Sequence, residues 1–454
     1  MSFSARSSRP TTIWMLAGLI LLTINLRAAI TGISPLLGDL QDTFALSGIE
    51  VSILTTLPVL CLGIFASVAP SFARWFGAEV AIAGALVMIT AGIVLRVVPS
   101  SLALFAGTVL AGAGIAMGNV LMPAVIKRHF AHRVGSLTGL AMMLMASSGA
   151  VAAGLAVPLD DAGGWRLALA VWAVPSLIAA LVWGPLALRG RSERDASTSG
   201  RELSAVGRGP SASEDGPSAS EGGSSSGVAG RAAETGSLLR SPLAWSVAVF
   251  MGMASLMFYV LMSWLPEIMQ DHGFAAAEAG MMVSYMMIIG IPLGFVVPVL
   301  AARLRDQRFL VVVVAAAMVI GLIGMLLAPS AGWLWVTILG LSTGSAFPLA
   351  YTLLSLRSPS PAVAARLSGM AQTGGYLLAG FGPLAVGVLH SMTGGWEVSL
   401  MLLLVLVVPE TIFGLMAARP GFVRPSLTHP EGSVEQLIEP KDIPVPARTP
   451  VNAR

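Results

Sequence analysis

The sequence predicts an all-α membrane protein of twelve transmembrane helices, built as two parallel six-helix repeats, and three observations carry that expectation. Hydrophobic residues make up 55% of the chain and charged residues 11%, with a mean hydropathy of +0.82, whereas a soluble domain carries about a quarter charged residues. Apolar runs close to the roughly 20 residues needed to cross about 30 Å of hydrocarbon recur along the chain. A polar stretch over 189–241 then divides those runs into two equal sets, and short motifs repeat across the division.

Residues 1–10 form a short polar N-terminus with Arg6 and Arg9. The run from Thr11 to Ile33 is too long for a signal-peptide core and is soon followed by further spans, so it reads as an uncleaved first helix. The loop Leu36–Gly48 holds Asp39 and Asp42 but no Lys or Arg. Apolar segments near 50–69, 79–97, 102–126, 136–158 and 166–188 complete an N-terminal bundle over 11–188. The stretch 189–241 is rich in Ser, Gly, Glu and Arg and repeats PSASE at Pro210–Glu214 and Pro217–Glu221. It has too little apolar surface to order itself and reads as a disordered cytoplasmic linker. Segments near 243–265, 276–301, 309–328, 332–355, 365–389 and 397–418 form a C-terminal bundle over 242–418, followed by a polar, Pro-rich tail over 419–454.

Basic residues set the expected topology. Arg6, Arg9, Arg74, Lys127, Arg128, Arg133, the linker arginines, Arg303, Arg305, Arg308, Arg357, Arg366 and the tail fall on one side, whereas the loops of the other side show little beyond Arg96 and Arg166. The positive-inside rule therefore puts both termini and the linker in the cytoplasm of a bacterium, with the chain in its plasma membrane. The net charge of +3 and pI of about 9.4 thus report orientation and not a nucleic-acid partner. The single cysteine, Cys61, excludes an intramolecular disulfide or a Cys-based metal cluster and reads as a small buried apolar residue. No cofactor, metal or catalytic motif is expected, and the chain reads as no enzyme. Gly112, Gly114 and Gly118 lie in an apolar span with no following Lys-Ser/Thr, so they mark close helix approach instead of a nucleotide loop.

The halves share sequence. Leu137-Thr138-Gly139-Leu140 returns as Leu367-Ser368-Gly369-Met370, and Gly163-Gly164-Trp165 returns as Gly394-Gly395-Trp396, at nearly one offset. Six spans per repeat give both halves the same orientation, which is the parallel duplication of the major facilitator fold, with a substrate path between the halves.

Candidate site residues follow from charge in the wrong solvent. Asn25 and Arg27 lie inside the first span, and a guanidinium near mid-membrane costs roughly 2.5–3.5 kcal/mol on insertion scales, so it normally faces a protected interior. Thr23, Arg27 and Thr31 are spaced to share one helix face. By analogy with the fold, the first, fourth, seventh and tenth spans line the path and add Asn119, Tyr259, Trp264, Ser342, Thr343 and Tyr351, while the eleventh adds Gln372 and Tyr376 one turn apart. Arg27, Asn25, Thr31, Asn119, Tyr259, Gln372 and Tyr376 are the expected substrate contacts, with Arg27 as the fork for a small anion or a polar planar molecule. Trp264 reads as an interfacial aromatic, Glu410 as a carboxylate able to approach the cytoplasmic interface, and Arg74, Lys127 and Arg303 as gating and topology charges.

Asn25-Leu26-Arg27, Leu54-Thr55-Thr56-Leu57-Pro58-Val59, Gly118-Asn119-Val120-Leu121-Met122-Pro123 with Lys127, Tyr259 with Trp264-Leu265-Pro266, and Ser368-Gly369-Met370-Ala371-Gln372 with Gly375-Tyr376 and Gly382-Pro383 together resemble the cyanate and 2-nitroimidazole transporter family of the major facilitator superfamily. The resemblance runs from Asn25 to about Trp396, without the linker. It implies secondary transport of a small polar or anionic, cyanate-like solute by alternating access, or else export of 2-nitroimidazole or similar drug-like compounds. A monomer in the lipid bilayer is expected, with protons as the candidate coupling ion. Two departures count against standard proton antiport: the superfamily's loop between helices two and three lacks its acid over Ala69–Gly77, and Thr108 stands where proton-coupled exporters often have arginine. The reading from another class is a transporter-like sensor that signals through the linker and tail.

Overall fold

Helix starts follow local chemistry. Ser47 and Glu50 form a reciprocal capping box, with Ser47 N donating to Glu50 Oε2 at 2.8 Å and Glu50 N donating to Ser47 Oγ at 3.3 Å. Ser241-Pro242 and Ser360-Pro361 open two other helices, each serine accepting a backbone N–H while the proline occupies a position whose own N–H would be unpaired. The structure is a computed structural model and describes residues 9–188 and 237–423. Its helices are α1 (Arg9–Thr31), α2 (Leu37–Phe44), α3 (Gly48–Ala66), α4 (Ala69–Phe76), α5 (Ala78–Arg96), α6 (Ser101–His129), α7 (Val134–Ala170), α8 (173–188), α9 (Pro242–Asp271), α10 (Ala276–Arg303), α11 (Arg308–Leu327), α12 (Gly332–Leu356), α13 (Pro361–Thr393) and α14 (Glu397–Ala417). Residues 1–8, most of the expected linker with both PSASE repeats, and the tail beyond 423 lie outside the described residues.

Among the described residues, eleven stretches are long and apolar enough to span a bilayer, and one of them, Ala131–Leu188, holds 58 residues. That stretch accommodates two crossings because the helix breaks at Gly163 and Gly164, the latter at φ 77°. Twelve crossings result, with α2 and α4 too short to cross. Exposed Val87, Val94, Val312, Ile320, Val405 and Val408 face outward along the spans, as a lipid solvent requires.

The repeated motifs have physical reasons. In each GGW, one glycine takes a left-handed turn, at φ 77° for Gly164 and 70° for Gly394, and the tryptophan behind it is buried. Trp165 packs edge-on to Phe44, and Trp396 against Trp264 and His390. The glycines of the other motif sit where the halves meet. A Cβ on Gly139 would stand 2.6 Å from Phe295 O of α10, and one on Gly369 2.7 Å from Pro70 and 2.9 Å from Ala66 O. The two flanks of the interface are thus closed by the same residue in each repeat, α7 against α10 and α13 against α3 and α4.

All of these close approaches lie toward the side on which the described segments begin and end, at residues 9, 188, 237 and 423, called the terminal side below. The largest apolar cluster joins both halves there, including Ala66, Met122, Leu137, Leu349, Leu354 and Leu367. Toward the opposite side each half has a cluster of its own, one around Leu36, Leu54 and Trp165 and the other around Leu265, Met286 and Trp396. The halves are therefore packed together on the terminal side, with separate cores on the other.

Candidate functional site

The interface is bonded at its centre through a carbonyl that the sequence releases. Pro123 has no N–H, so the carbonyl of Asn119, four residues earlier in α6, loses its helical donor. Tyr351 Oη of α12 donates to that carbonyl at 2.5 Å and Gln372 Nε2 of α13 donates to it at 3.3 Å. One turn further on, Lys127 Nζ donates to Ser355 O at 2.7 Å and lies 5.9 Å from the Phe422 ring centre. Asn119 and Tyr351 are separated by 232 positions, close to the spacing of the repeated motifs, so α6 and α12 meet at the pseudo-twofold relation between the halves.

Arg27 lies above this floor. It is only partly buried, and its guanidinium stands 5.8 Å from the centre of the Phe258 ring of the other half. The small size of Gly149 makes room for it, since a Cβ there would stand 3.0 Å from Arg27 Cγ. No hydrogen bond or ion pair holds the guanidinium among the described residues, and neither the Tyr259 nor the Tyr376 hydroxyl has a hydrogen-bond partner among them. One cation from α1 thus faces the Phe258 ring of α9 across the halves, and the Tyr259 ring stands 5.4 Å from that of Phe258.

The other expected contacts are placed differently. Asn25 points away from this group: its Nδ2 donates to Leu21 O at 2.7 Å and to Pro175 O at 3.2 Å, tying α1 to α8, because two helical positions from Arg27 is nearly the opposite face. Thr31 donates to Gly149 O at 2.9 Å and Thr23 to Leu19 O at 2.9 Å, so of the polar stripe only Arg27 keeps free donors. Asn119 contributes its backbone carbonyl to the floor, while its Oδ1 is buried without a partner. Gln372 is fully buried and donates to Ser368 Oγ at 2.7 Å, leaving its Oε1 buried and unpaired close to the same floor. Ser342 ties α12 to Val314 O of α11 at 2.8 Å, and Thr343 bonds within its own helix. Trp264 is half-buried, and its indole donates to Pro383 O at 2.8 Å, joining α9 to α13.

Three charged residues depart from the sequence reading. Arg96 is 1% exposed, not a loop residue; its Nη1 donates to Ala29 O at 2.6 Å, one of the carbonyls left open at the end of α1, and its Nε and Nη2 have no partner. Glu410 is 4% exposed with both carboxylate oxygens unpaired, so it lies inside the C-terminal half and does not reach an interface. Arg357 is a helix-end clamp, donating to Ala417 O and Ala418 O at 2.8 Å each and to Gln307 Oε1. Of the expected gate charges, Lys127 bridges the halves, Arg74 lies on α4 with its Nη2 donating to Ser71 Oγ at 3.0 Å, and Arg303 is exposed at the end of α10. Arg128 and His129, beside Lys127, instead pair with buried Glu79 at 3.1 and 3.2 Å. Glu79 follows the acid-free loop by two residues. A count of basic residues along the sequence cannot find these roles, because burial depends on which helix stands opposite.

Comparison with known proteins agrees with this architecture. Residues 19–383 match the Major Facilitator Superfamily. The chain is 35% identical over 425 residues to the 2-nitroimidazole transporter of Escherichia coli (strain K12), covering 93% of this chain and all of that protein. It is 28% identical to the cyanate transport protein CynX of the same strain, over 84% of this chain and 91% of the relative. Its fold is similar to that of the proton:xylose symporter XylE, with a TM-score of 0.64 and 13% identity over 92% of this chain and 99% of that one.

Proposed function

The chain belongs to the Major Facilitator Superfamily and is a multi-pass membrane transporter of small solutes; from that premise we propose that it carries a small, flat, polar solute whose anionic or nitro-type acceptor group binds Arg27. The observation that carries this reading is the Arg27 guanidinium, held against Phe258 with Tyr259 beside that ring, and with no protein acceptor among the described residues. An arginine fork pairs with two coplanar oxygens, and aromatic faces suit a flat ring. The unpaired Asn119 Oδ1 and Gln372 Oε1 beneath them add acceptors for an N–H group once the floor rearranges. A nitroimidazole has both halves of that chemistry, and the 2-nitroimidazole transporter is a relative by sequence. Cyanate is the second reading, because it would need only the cation.

The two bundles over 11–188 and 242–418 act as the moving halves, joined by a cytoplasmic linker over 189–241, in a monomer that works in a bacterial plasma membrane. The basic residues of the terminal side favour a cytoplasmic position for both termini. The closed side then faces the cytoplasm, and Lys127 is its gate. Protons are the candidate coupling ion, and Arg303 acts through topology alone.

Proteoliposomes loaded with labelled 2-nitroimidazole or labelled cyanate, with and without a pH gradient, test this reading. Wild type should show saturable flux of one of them, and Arg27→Gln should reduce that flux about 10- to 100-fold, the worth of a charge-assisted hydrogen bond. Undiminished flux in Arg27→Gln would remove the proposed site, and a response to the gradient would establish proton coupling.

A further inference from the structure

The polar tail expected from residue 419 onward begins as a folded segment. Residues 419–423 turn back against the terminal side, and one residue just beyond α12, Arg357, holds both ends of this stretch. Its Nε and Nη2 donate to Ala417 O and Ala418 O at 2.8 Å each, which fixes the point where the chain leaves α14. Its own carbonyl accepts Val423 N at 2.8 Å, and Val423 is fully buried in the apolar cluster that joins the halves.

The sequence between these two points suits a turn and not a longer helix. Pro420 has no N–H with which to continue α14, and Gly421 sits at φ 143°, a conformation that residues with a Cβ rarely adopt. Phe422 is 59% exposed, so burial does not account for its position. Its ring centre lies 5.9 Å from Lys127 Nζ of the other half. Lys127 in turn donates to Ser355 O, two residues before Arg357. An aromatic face thus meets the cation at the point where that cation crosses from α6 to α12.

We propose that residues 419–423 are a strap of the C-terminal half, and that Phe422 is a positioning residue which keeps Lys127 seated on Ser355 O and favours the form closed on the terminal side. The proposal rests on the reading of Lys127 as the gate of that side. Parting the halves carries Lys127 away with α6, whereas the strap stays with α12 and α14 through Arg357. The contact exists only in the closed form, and an interaction present in one of two states shifts the population toward it. An ammonium group is drawn to the ring face by its quadrupole. Val423 alone would anchor the chain but would leave Lys127 uncovered.

The test uses the full-length protein in lipid vesicles, with spin labels at positions 133 and 303 on exposed terminal-side ends of the two halves, and reads the ratio of closed to open forms. Phe422→Ala and Phe422→Leu should each lower that ratio about two- to fivefold, the worth of an exposed cation–π contact, while Phe422→Trp keeps it. Because Phe422 is exposed, these changes leave the core intact. Gly421→Ala should lower the ratio as well, since it strains the turn without removing a contacting atom. In a Lys127→Met background, Phe422→Ala should have no further effect. A wild-type ratio in Phe422→Leu, or an equal shift by Phe422→Ala with and without Lys127, would overturn the proposal. If Lys127→Met shifts the ratio and Phe422→Ala does not, the strap is rejected and the gate stands. If neither shifts it, the gate reading fails as well.

Discussion

Among the described residues, Arg27, Arg96 and Glu410 are buried or half-buried charged side chains within the spans with no ion pair, and each has a different surrounding. Arg27 faces the Phe258 ring of the opposite half, Arg96 closes the end of α1 through Ala29 O, and Glu410 has no partner for either oxygen. An unpaired buried polar group costs about 1–3 kcal/mol. Replacing Glu410 with methionine, of similar length, should therefore raise the stability of the purified protein by about that amount, read as a higher melting temperature in detergent. A lower melting temperature would mean that the carboxyl is satisfied in the folded protein. The sequence pointed to Glu410 by its charge and its helix but not to its burial, because α14 is turned with this residue toward the inside of its half.

At the scale of the element, α6 shows how one residue sets a contact between halves. Pro123 removes a donor within α6, and the freed Asn119 carbonyl becomes the acceptor for Tyr351 and Gln372. Pro123→Ala should restore the helical N–H···O bond and compete with both cross-half donors. The expected result is a helix at least as stable, together with a larger population open on the terminal side, measured as a longer distance between spin labels at positions 133 and 303. An unchanged distance distribution would show that Lys127 and the glycine contacts alone hold the closure. The Asn-to-Pro spacing is visible in the sequence; its partners lie more than 230 positions away and are not.

For the whole molecule, the two halves are packed together on one side and keep separate cores on the other. Gly135 of α7 meets Ala302 of α10 across this closure. Cys61 is the only cysteine and is buried, so a Cys61→Ala background isolates an engineered pair. Oxidising Gly135→Cys with Ala302→Cys should join the halves, stop transport, and release it again on reduction. Continued transport by the fully cross-linked protein would mean that this contact does not part during the cycle.

The sequence by itself determined that this is a membrane protein of two repeats, because hydropathy and span length are properties of the chain and a lipid solvent leaves the backbone few alternatives. It also marked Arg27, since a guanidinium inside an apolar span is conspicuous without any partner being known. Only the tertiary structure decided that Asn25 binds Pro175 O and that the Asn119 carbonyl, not its side chain, holds the floor. It likewise decided that Arg96 and Arg357 finish helices and that Glu79 holds Arg128 and His129. Each of those roles depends on how a helix is rotated and on which distant segment faces it, and neither quantity is written in local composition.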